Sequence, residues 1–344
     1  MNISSLITKY DPDNQYDVLL NYYTQIQSAW SNEYNITDDL KGFKPREIII
    51  SGMGGSAISA NLLRNYAAND LMIPLFISRN YHLPLFAGPE TLLIISSYSG
   101  NTEETLSSLN EGLQKGCKIA CITTGGKIGA IAAEKSLTRI NLKPGYQPRF
   151  SIGQSFFTLL KLLQTIGLIP AQDQIVERLT KMWRLKSEEY GSDNMELISQ
   201  ALKILGRAAV IYSGADSTDS VGMRLKGQLN ENSKKMAFHL EYPEMNHNEI
   251  ISWENVDSPG SFVVLNIKDS AYHSQIKKRF EITTGLIEGK GVEVITIESD
   301  EVTFKERLLD LILKVDWLTY YAAVLGKKDP SEIDYIHFLK KNLE

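Results

Sequence analysis

The chain has 344 residues, of which 43% are hydrophobic and 22% charged, with 24 glycines. That length suits two domains or one large α/β domain, and the composition excludes disordered, collagen-like and fibrous classes. Lys plus Arg total 36 against 41 Asp plus Glu, a net charge of −5. A mildly acidic chain is not built to coat nucleic acid or anionic lipid, although one basic pocket can still hold a small anion.

The first residues, Met1-Asn2-Ile3-Ser4-Ser5-Leu6, lack the basic stretch and apolar run of a signal peptide. No apolar run approaches the roughly 18 residues of a membrane helix. Cys117 and Cys121 lie on one expected strand, where a disulfide is geometrically poor. Two buried thiols in a reducing compartment are expected, and the cytoplasm is the expected location.

In chain order, residues 15–31 carry Val18, Leu19, Tyr22, Tyr23, Ile26 and Trp30 at helical spacing. Ile48-Ile49-Ile50 is a short apolar strand running into Ser51-Gly52-Met53-Gly54-Gly55-Ser56, with a helix from Ala57 to about Tyr66. Strands are expected at 73–78, 91–97, 117–123 and 139–142, with helices at 102–115 and 127–135. Largely apolar strands alternating with helices indicate a parallel sheet covered on both faces. Helices over 152–166 and 173–187 lead to a second half, which repeats the scheme. Its strands fall at 208–214, 262–267 and 292–297, and its helices at 223–232, 274–289, 304–325 (amphipathic) and 333–339. Two similar halves suggest a duplication. The second glycine turn, Gly214-Ala215-Asp216-Ser217, carries an acid that would repel a phosphate. A phosphate is therefore expected in the first half.

Gly52-Met53-Gly54-Gly55-Ser56-Ala57 between strand and helix lets the backbone approach an anion at a helix N-terminus. It also satisfies a loose dinucleotide fingerprint, so an NADP oxidoreductase competes. The ribose-binding acid expected after the second strand is replaced by Ser78-Arg79-Asn80, and no Walker A loop occurs. The stronger signal is Ser96-Ser97-Tyr98-Ser99-Gly100-Asn101-Thr102. Its three hydroxyls, Ser97, Ser99 and Thr102, gather at a strand's carboxyl end and a helix start. Helix capping by Thr102 explains one of them, whereas a phosphate cradle explains all three. Such a cradle suits a monoester on a small polyol better than a nucleotide. His239 and His247, with Glu241, Glu244 and Glu249 nearby, lack the spacing of a zinc site, and no metal or cofactor is expected. Glu231 amid amides and hydroxyls, and His247 in a polar loop, offer the carboxylate and the histidine that aldose–ketose isomerisation requires. A solvated helix end is the plainer reading of Glu231.

These segments together resemble the bifunctional phosphoglucose/phosphomannose isomerases of the phosphoglucose isomerase superfamily, built from two sugar-isomerase (SIS) domains. The resemblance rests on SGMGGSA at 51–57, SSYSGNTEET at 96–105, Pro148-Arg149, LNENSK at 229–234, EYPEMNHNE at 241–249 and Gly326-x-x-Asp329-Pro330 leading to Lys340. It implies two SIS-type α/β/α sandwiches with parallel central sheets, at 35–165 and 190–344. It further implies a sugar 6-phosphate held by Ser56, Ser97, Ser99 and Thr102, with Gly54 and Gly55 near the sugar. Glu231 would move the proton between C1 and C2, Arg149 would stabilise the enediolate, His247 would help open the ring and Lys340 would assist at the ring oxygen or hold the substrate. The family pattern also implies a metal-independent homodimer in which His247 enters from the neighbouring subunit. A non-catalytic SIS protein that senses a phosphosugar is the alternative. It would keep 97–102 without needing Glu231, Arg149 and His247 together.

Overall fold

A computed structural model describes residues 3–343. The chain divides into two compact units, one of Tyr22–Lys181 and the other of the residues up to Asn21 together with Met182 onward.

Helices α1 (Ile3–Tyr10) and α2 (Gln15–Leu20) precede α3 (Tyr22–Ser31). The single helix expected over 15–31 is broken at Asn21, whose φ of −106° and ψ of 18° leave the helical well. Its side-chain amide donates to the Asp17 carbonyl at 2.9 Å, the local competition that makes asparagine a poor interior helix residue.

Strand β1 (Glu47–Ser51), helix α4 (Gly54–Tyr66), strands β2 (Leu75–Ser78) and β3 (Thr91–Ser96), and helix α5 (Glu103–Gln114) follow. Then come β4 (Lys118–Thr123), α6 (Gly126–Glu134), β5 (Thr138–Asn141), α7 (Ile152–Thr165) and α8 (Asp173–Gly191). Strand β2 starts at Leu75 rather than Ile73, since Pro74 has no N–H to give a ladder. All five strands pair in parallel in the order β2-β1-β3-β4-β5. The order reverses between β1 and β3, which makes the crevice beyond their carboxyl ends the place where open α/β sheets bind ligands. Ile48–Ile50 and Leu92–Ile95 are fully buried, as a two-sided sheet demands. Cys117 and Cys121 are free thiols in one apolar cluster with Leu93, Leu109 and Ile119. Burial pushes the Cys121 thiol up to about 12, which leaves it inert.

The other unit continues with α9 (Met195–Ile204), β6 (Ala208–Gly214), α10 (Asp219–Glu231), β7 (Ala237–Tyr242), β8 (Phe262–Ile267), α11 (Ser274–Glu288), β9 (Glu293–Ile297), α12 (Phe304–Leu325) and α13 (Asp334–Leu343). Its sheet is also wholly parallel, in the order β7-β6-β8-β9. Neither α9 nor β7 is among the elements expected from the pattern. Strand β7 lies at the sheet edge, so only Ala237 and Tyr242 are buried and its apolar signal is diluted. Helix α10 begins at Asp219, a turn earlier than the expected 223.

Helix α12 is not amphipathic, as the spacing suggests, but buried on all sides, with 19 of its 22 residues in the interior. Several of its polar side chains find partners there, as burial requires. Tyr190 donates to Asp310 at 2.7 Å, and the Asn232 amide donates to Thr319 at 3.3 Å. Asp11, just after α1, accepts the Tyr320 hydroxyl at 2.8 Å, which ties this N-terminal segment to α12.

One contact fixes α10 on α12. Arg224 Nε and Nη2 donate to the two Asp316 oxygens at 2.7 and 2.5 Å, and Gln228 Nε2 adds a bond at 3.2 Å. Both charged side chains are almost wholly buried. Removing one partner strands the other charge in the interior. Asp316→Ala should therefore cost about 3–5 kcal/mol in urea unfolding. A loss below about 1 kcal/mol would show that the pair does not hold the helix.

Candidate active site

The crevice of the Tyr22–Lys181 unit is made by close approaches that only glycine permits. A Cβ on Gly52 would lie 3.0 Å from the Ser96 carbonyl and 3.2 Å from the Ser56 Cβ, so the turn after β1 lies against the end of β3. A Cβ on Gly55 would lie 2.6 Å from the Pro148 carbonyl and 3.5 Å from the Arg149 Cα. Gly54, with φ of +49°, makes the turn into α4. Ala57 sits inside the helix, where alanine carries no strain.

Arg149 lies in a short 3₁₀ turn, Pro148–Phe150, with its side chain 5% exposed and its guanidinium carbon 5.5 Å from the centre of the Phe150 ring. The glycine approach thus places a buried arginine's backbone on the turn that carries Ser56, also buried.

Across the crevice, Ser97 Oγ and Thr102 Oγ1 are 3.0 Å apart. The Gly100 N–H donates to Ser97 Oγ at 3.2 Å, and the Asn101 N–H to Ser99 Oγ at 3.3 Å. These hydroxyls accept from the backbone, so Ser99 keeps its proton for a ligand, as does one member of the Ser97–Thr102 pair. Thr102 occupies the N-cap of α5, yet its side chain makes no cap bond. Capping does not account for it. The N-cap of α4, Met53, also makes no side-chain cap bond. Two uncapped helix starts therefore flank the crevice, each with first-turn N–H groups suited to an anion. Gly100 holds the hydroxyl loop down, since a Cβ there would lie 1.9 Å from the Gly125 carbonyl.

The remaining expected residues lie in the other unit. Glu231 is the last residue of α10 and is half-buried. Lys234 Nζ donates to the Glu231 carbonyl at 3.0 Å, closing the helix end. His247 is exposed at the end of a 3₁₀ turn, Glu244–His247, that follows β7. Lys340 is exposed on α13, none of whose described side chains is buried. His239 Nε2 lies 2.7 Å from Ser213 Oγ, and burial lowers its pKa to about 4. Among the described residues no three His, Cys, Asp or Glu side chains are grouped as metal ligands.

The sheet of this second unit has its own reversal, between β6 and β8, and there the corresponding space is filled. The Tyr272 hydroxyl accepts the Gly214 N–H at 3.0 Å and donates to the Ile267 carbonyl at 3.0 Å, and it also bonds Thr218. Behind it, Asp269 is paired with Arg307 at 2.8 Å, and both are buried. The acid at Asp216 is exposed and one residue of several that change this turn. An aromatic plug, which glycine patterning did not indicate, closes it.

Residues 196–343 match the family described as bacterial phospho-glucose isomerase C-terminal SIS domain. The chain is 36% identical over 333 residues to a bifunctional phosphoglucose/phosphomannose isomerase of Caldicellulosiruptor bescii, covering 95% of this chain and 98% of that one. It is 31% identical over 237 residues to a D-glucosamine-6-phosphate 4-epimerase of Sulfolobus acidocaldarius, covering 66% of this chain and 71% of that one. The crystal structure of a hypothetical protein from Thermus thermophilus shares the fold, with a TM-score of 0.75 at 14% identity, covering 99% of this chain and 92% of that one. No helix among the described residues is long and apolar enough to cross a membrane.

If the crevice is an anion site, crowding it should show. Gly55→Ala drives a methyl group into the Pro148 carbonyl, an overpacking cost of roughly 1–3 kcal/mol, and should weaken inorganic phosphate binding about tenfold by calorimetry. Unchanged affinity in a variant with the wild-type circular dichroism spectrum would dismiss this crevice as the anion site.

Proposed function

The chain belongs to the bifunctional phosphoglucose/phosphomannose isomerase family, and on that footing we propose that it interconverts glucose 6-phosphate and mannose 6-phosphate with fructose 6-phosphate. The observation that carries this reading is the crevice at the β1/β3 reversal, where hydroxyls with protons to donate and two uncapped helix starts lie beside a buried arginine. A dianionic monoester matches those donors. We assign 35–165 as the phosphate-binding SIS domain and 190–344 as the SIS domain carrying the acid–base residues.

In the proposed reaction Ser56, Ser97, Ser99 and Thr102 hold the phosphate, with the Gly54-Gly55 backbone near the sugar. His247 assists ring opening by handling the proton at the ring oxygen, and Lys340 assists there or holds the substrate. The Glu231 carboxylate then removes the C2 proton of the open-chain aldose. The electron pair forms the C1–C2 double bond, and the former carbonyl oxygen O1 takes the negative charge. Arg149 stabilises that enediolate, the point at which aimed positive charge lowers the barrier most. A proton returned from Glu231 to C1, with the O2 proton leaving as O1 gains one, gives the ketose. Glucose 6-phosphate and mannose 6-phosphate differ only at C2 and share this enediol, so a pocket admitting both faces of C2 serves both.

We place the protein in the cytoplasm, in glycolysis and gluconeogenesis, as a homodimer with His247 supplied by the neighbouring subunit. The assignment needs no metal, since carboxylate and arginine provide the proton transfer and the countercharge.

Turnover of fructose 6-phosphate in D₂O with a chelator present tests the reading. Both aldose phosphates should form, with deuterium at C2, and Glu231→Gln should slow the exchange by about 10³-fold or more while phosphosugar binding persists. Exchange at the wild-type rate in that variant would remove Glu231 as the base. Binding without any exchange in the wild type would favour a sensor, and inversion at C4 of glucosamine 6-phosphate would favour the chemistry named for the Sulfolobus relative. The shared histidine has its own test. Equal amounts of Glu231→Gln and His247→Asn chains, unfolded and refolded together, should regain about a quarter of wild-type activity, because one site in each mixed dimer is then intact. No recovery would place His247 in its own chain's site.

A further inference from the structure

Tyr98 lies between Ser97 and Ser99 in the hydroxyl loop, but its side chain leaves that loop. Its hydroxyl accepts the Tyr146 N–H at 2.9 Å and donates to the Lys143 carbonyl at 3.1 Å. Its own carbonyl accepts the Thr124 N–H at 3.0 Å and the Thr124 hydroxyl at 2.7 Å. Tyr98 therefore joins the phosphate loop to the loop after β4 and to the segment 143–150 that carries Arg149. That segment is held again at both ends. Gln154 accepts the Lys143 N–H at 2.9 Å and donates to the Lys143 carbonyl at 3.1 Å. Gln25 donates to the Phe150 carbonyl at 2.7 Å and accepts the Gln154 N–H at 3.1 Å.

Within 143–150, the groups that these side chains hold are backbone N–H and carbonyl groups of Lys143, Tyr146 and Phe150. The net therefore sets where the Arg149 backbone stands. Of its members only Tyr98 also belongs to the loop whose neighbouring hydroxyls would grip the phosphate. We infer that Tyr98 is a positioning residue that registers Arg149 against the bound phosphate, so that the distance from phosphate to reacting carbons is built into the protein. The inference rests on the isomerase reading of the crevice. Its physical content is that an oxyanion donor contributes fully only when fixed beforehand at the right place, and that small displacements are costly.

Tyr98→Phe keeps the ring and deletes both hydroxyl bonds. With the melting temperature within a few degrees of wild type, kcat should fall about tenfold while KM stays within about twofold. A phosphorylated aldonohydroxamate that mimics the enediolate should bind about tenfold more weakly, whereas inorganic phosphate should bind as in wild type. In an Arg149→Lys background the same change should add almost nothing, because a residue acting through Arg149 cannot act once the guanidinium is gone. Equal loss of phosphate and analogue binding would overturn the inference, since the hydroxyl would then merely brace the loop. Full additivity with Arg149→Lys, or no effect on kcat, would overturn it too. If Arg149→Lys itself leaves turnover intact, the fault lies with the arginine's assignment and hence with the proposed mechanism. If Arg149→Lys is impaired and Tyr98→Phe is not, only the positioning role fails.

Discussion

Everything at the crevice depends on how closely two backbones meet at Gly55. A methyl group there would sit 2.6 Å from the Pro148 carbonyl, well inside van der Waals contact. That absence of a side chain brings the 3₁₀ turn of Arg149 onto the start of α4, and Gly52 does the same for the end of β3. Three loops from separate strands thus converge by close backbone approach, with the Tyr98 side chain tying two of them together. Convergence by backbone is stiff, because the strands and helices that carry the loops are fixed by a fully buried parallel sheet. An arginine brought in this way arrives with its backbone position already decided.

The second unit uses the same strand order for a different purpose. At the reversal of the second sheet stand Tyr272 and, beside it, a buried Asp269–Arg307 pair. They tie β6, β8 and the start of α12 together at the end of the sheet from which α10 departs. Helix α10 is then locked on α12 by Arg224 and Asp316, and Glu231 ends that helix. In the second unit this end of the sheet is thus given to rigidity for the helix that carries the proposed base. A charged pair buried this deeply contributes little net stability, but breaking it is costly, which suits fixing one arrangement over others.

Much of this is legible in the chain itself. The continuous apolar strands Ile48–Ile50 and Leu92–Ile95 fit a covered parallel sheet, and glycines followed by hydroxyls at strand ends mark the crevice. Edge strand β7 is not legible because edge strands bury few side chains, and its residues read as part of a polar loop. Helix α12 reads as amphipathic because its aspartates and arginine look solvated until their buried partners are known. Tyr98 is hidden for a similar reason. A tyrosine within a run of hydroxyls reads as one more donor to a ligand, and its partners at 143 and 146 are distant in sequence. Long-range polar pairing leaves no periodic trace.

The net charge of −5 acquires a meaning once the donors are sorted by type. The proposed phosphate ligands are hydroxyls and backbone N–H groups, all neutral, and the phosphate carries the same charge in substrate, intermediate and product. Donors aimed at it bind every state alike, so extra cations there would tighten binding without lowering the barrier. The carbonyl end is different, because it is neutral at the start and anionic in the enediolate. A full positive charge there acts on the difference between the two states. Arg149 is buried, so its field is poorly screened. On the proposed mechanism, the buried cation of the crevice stands where charge develops rather than where charge already is.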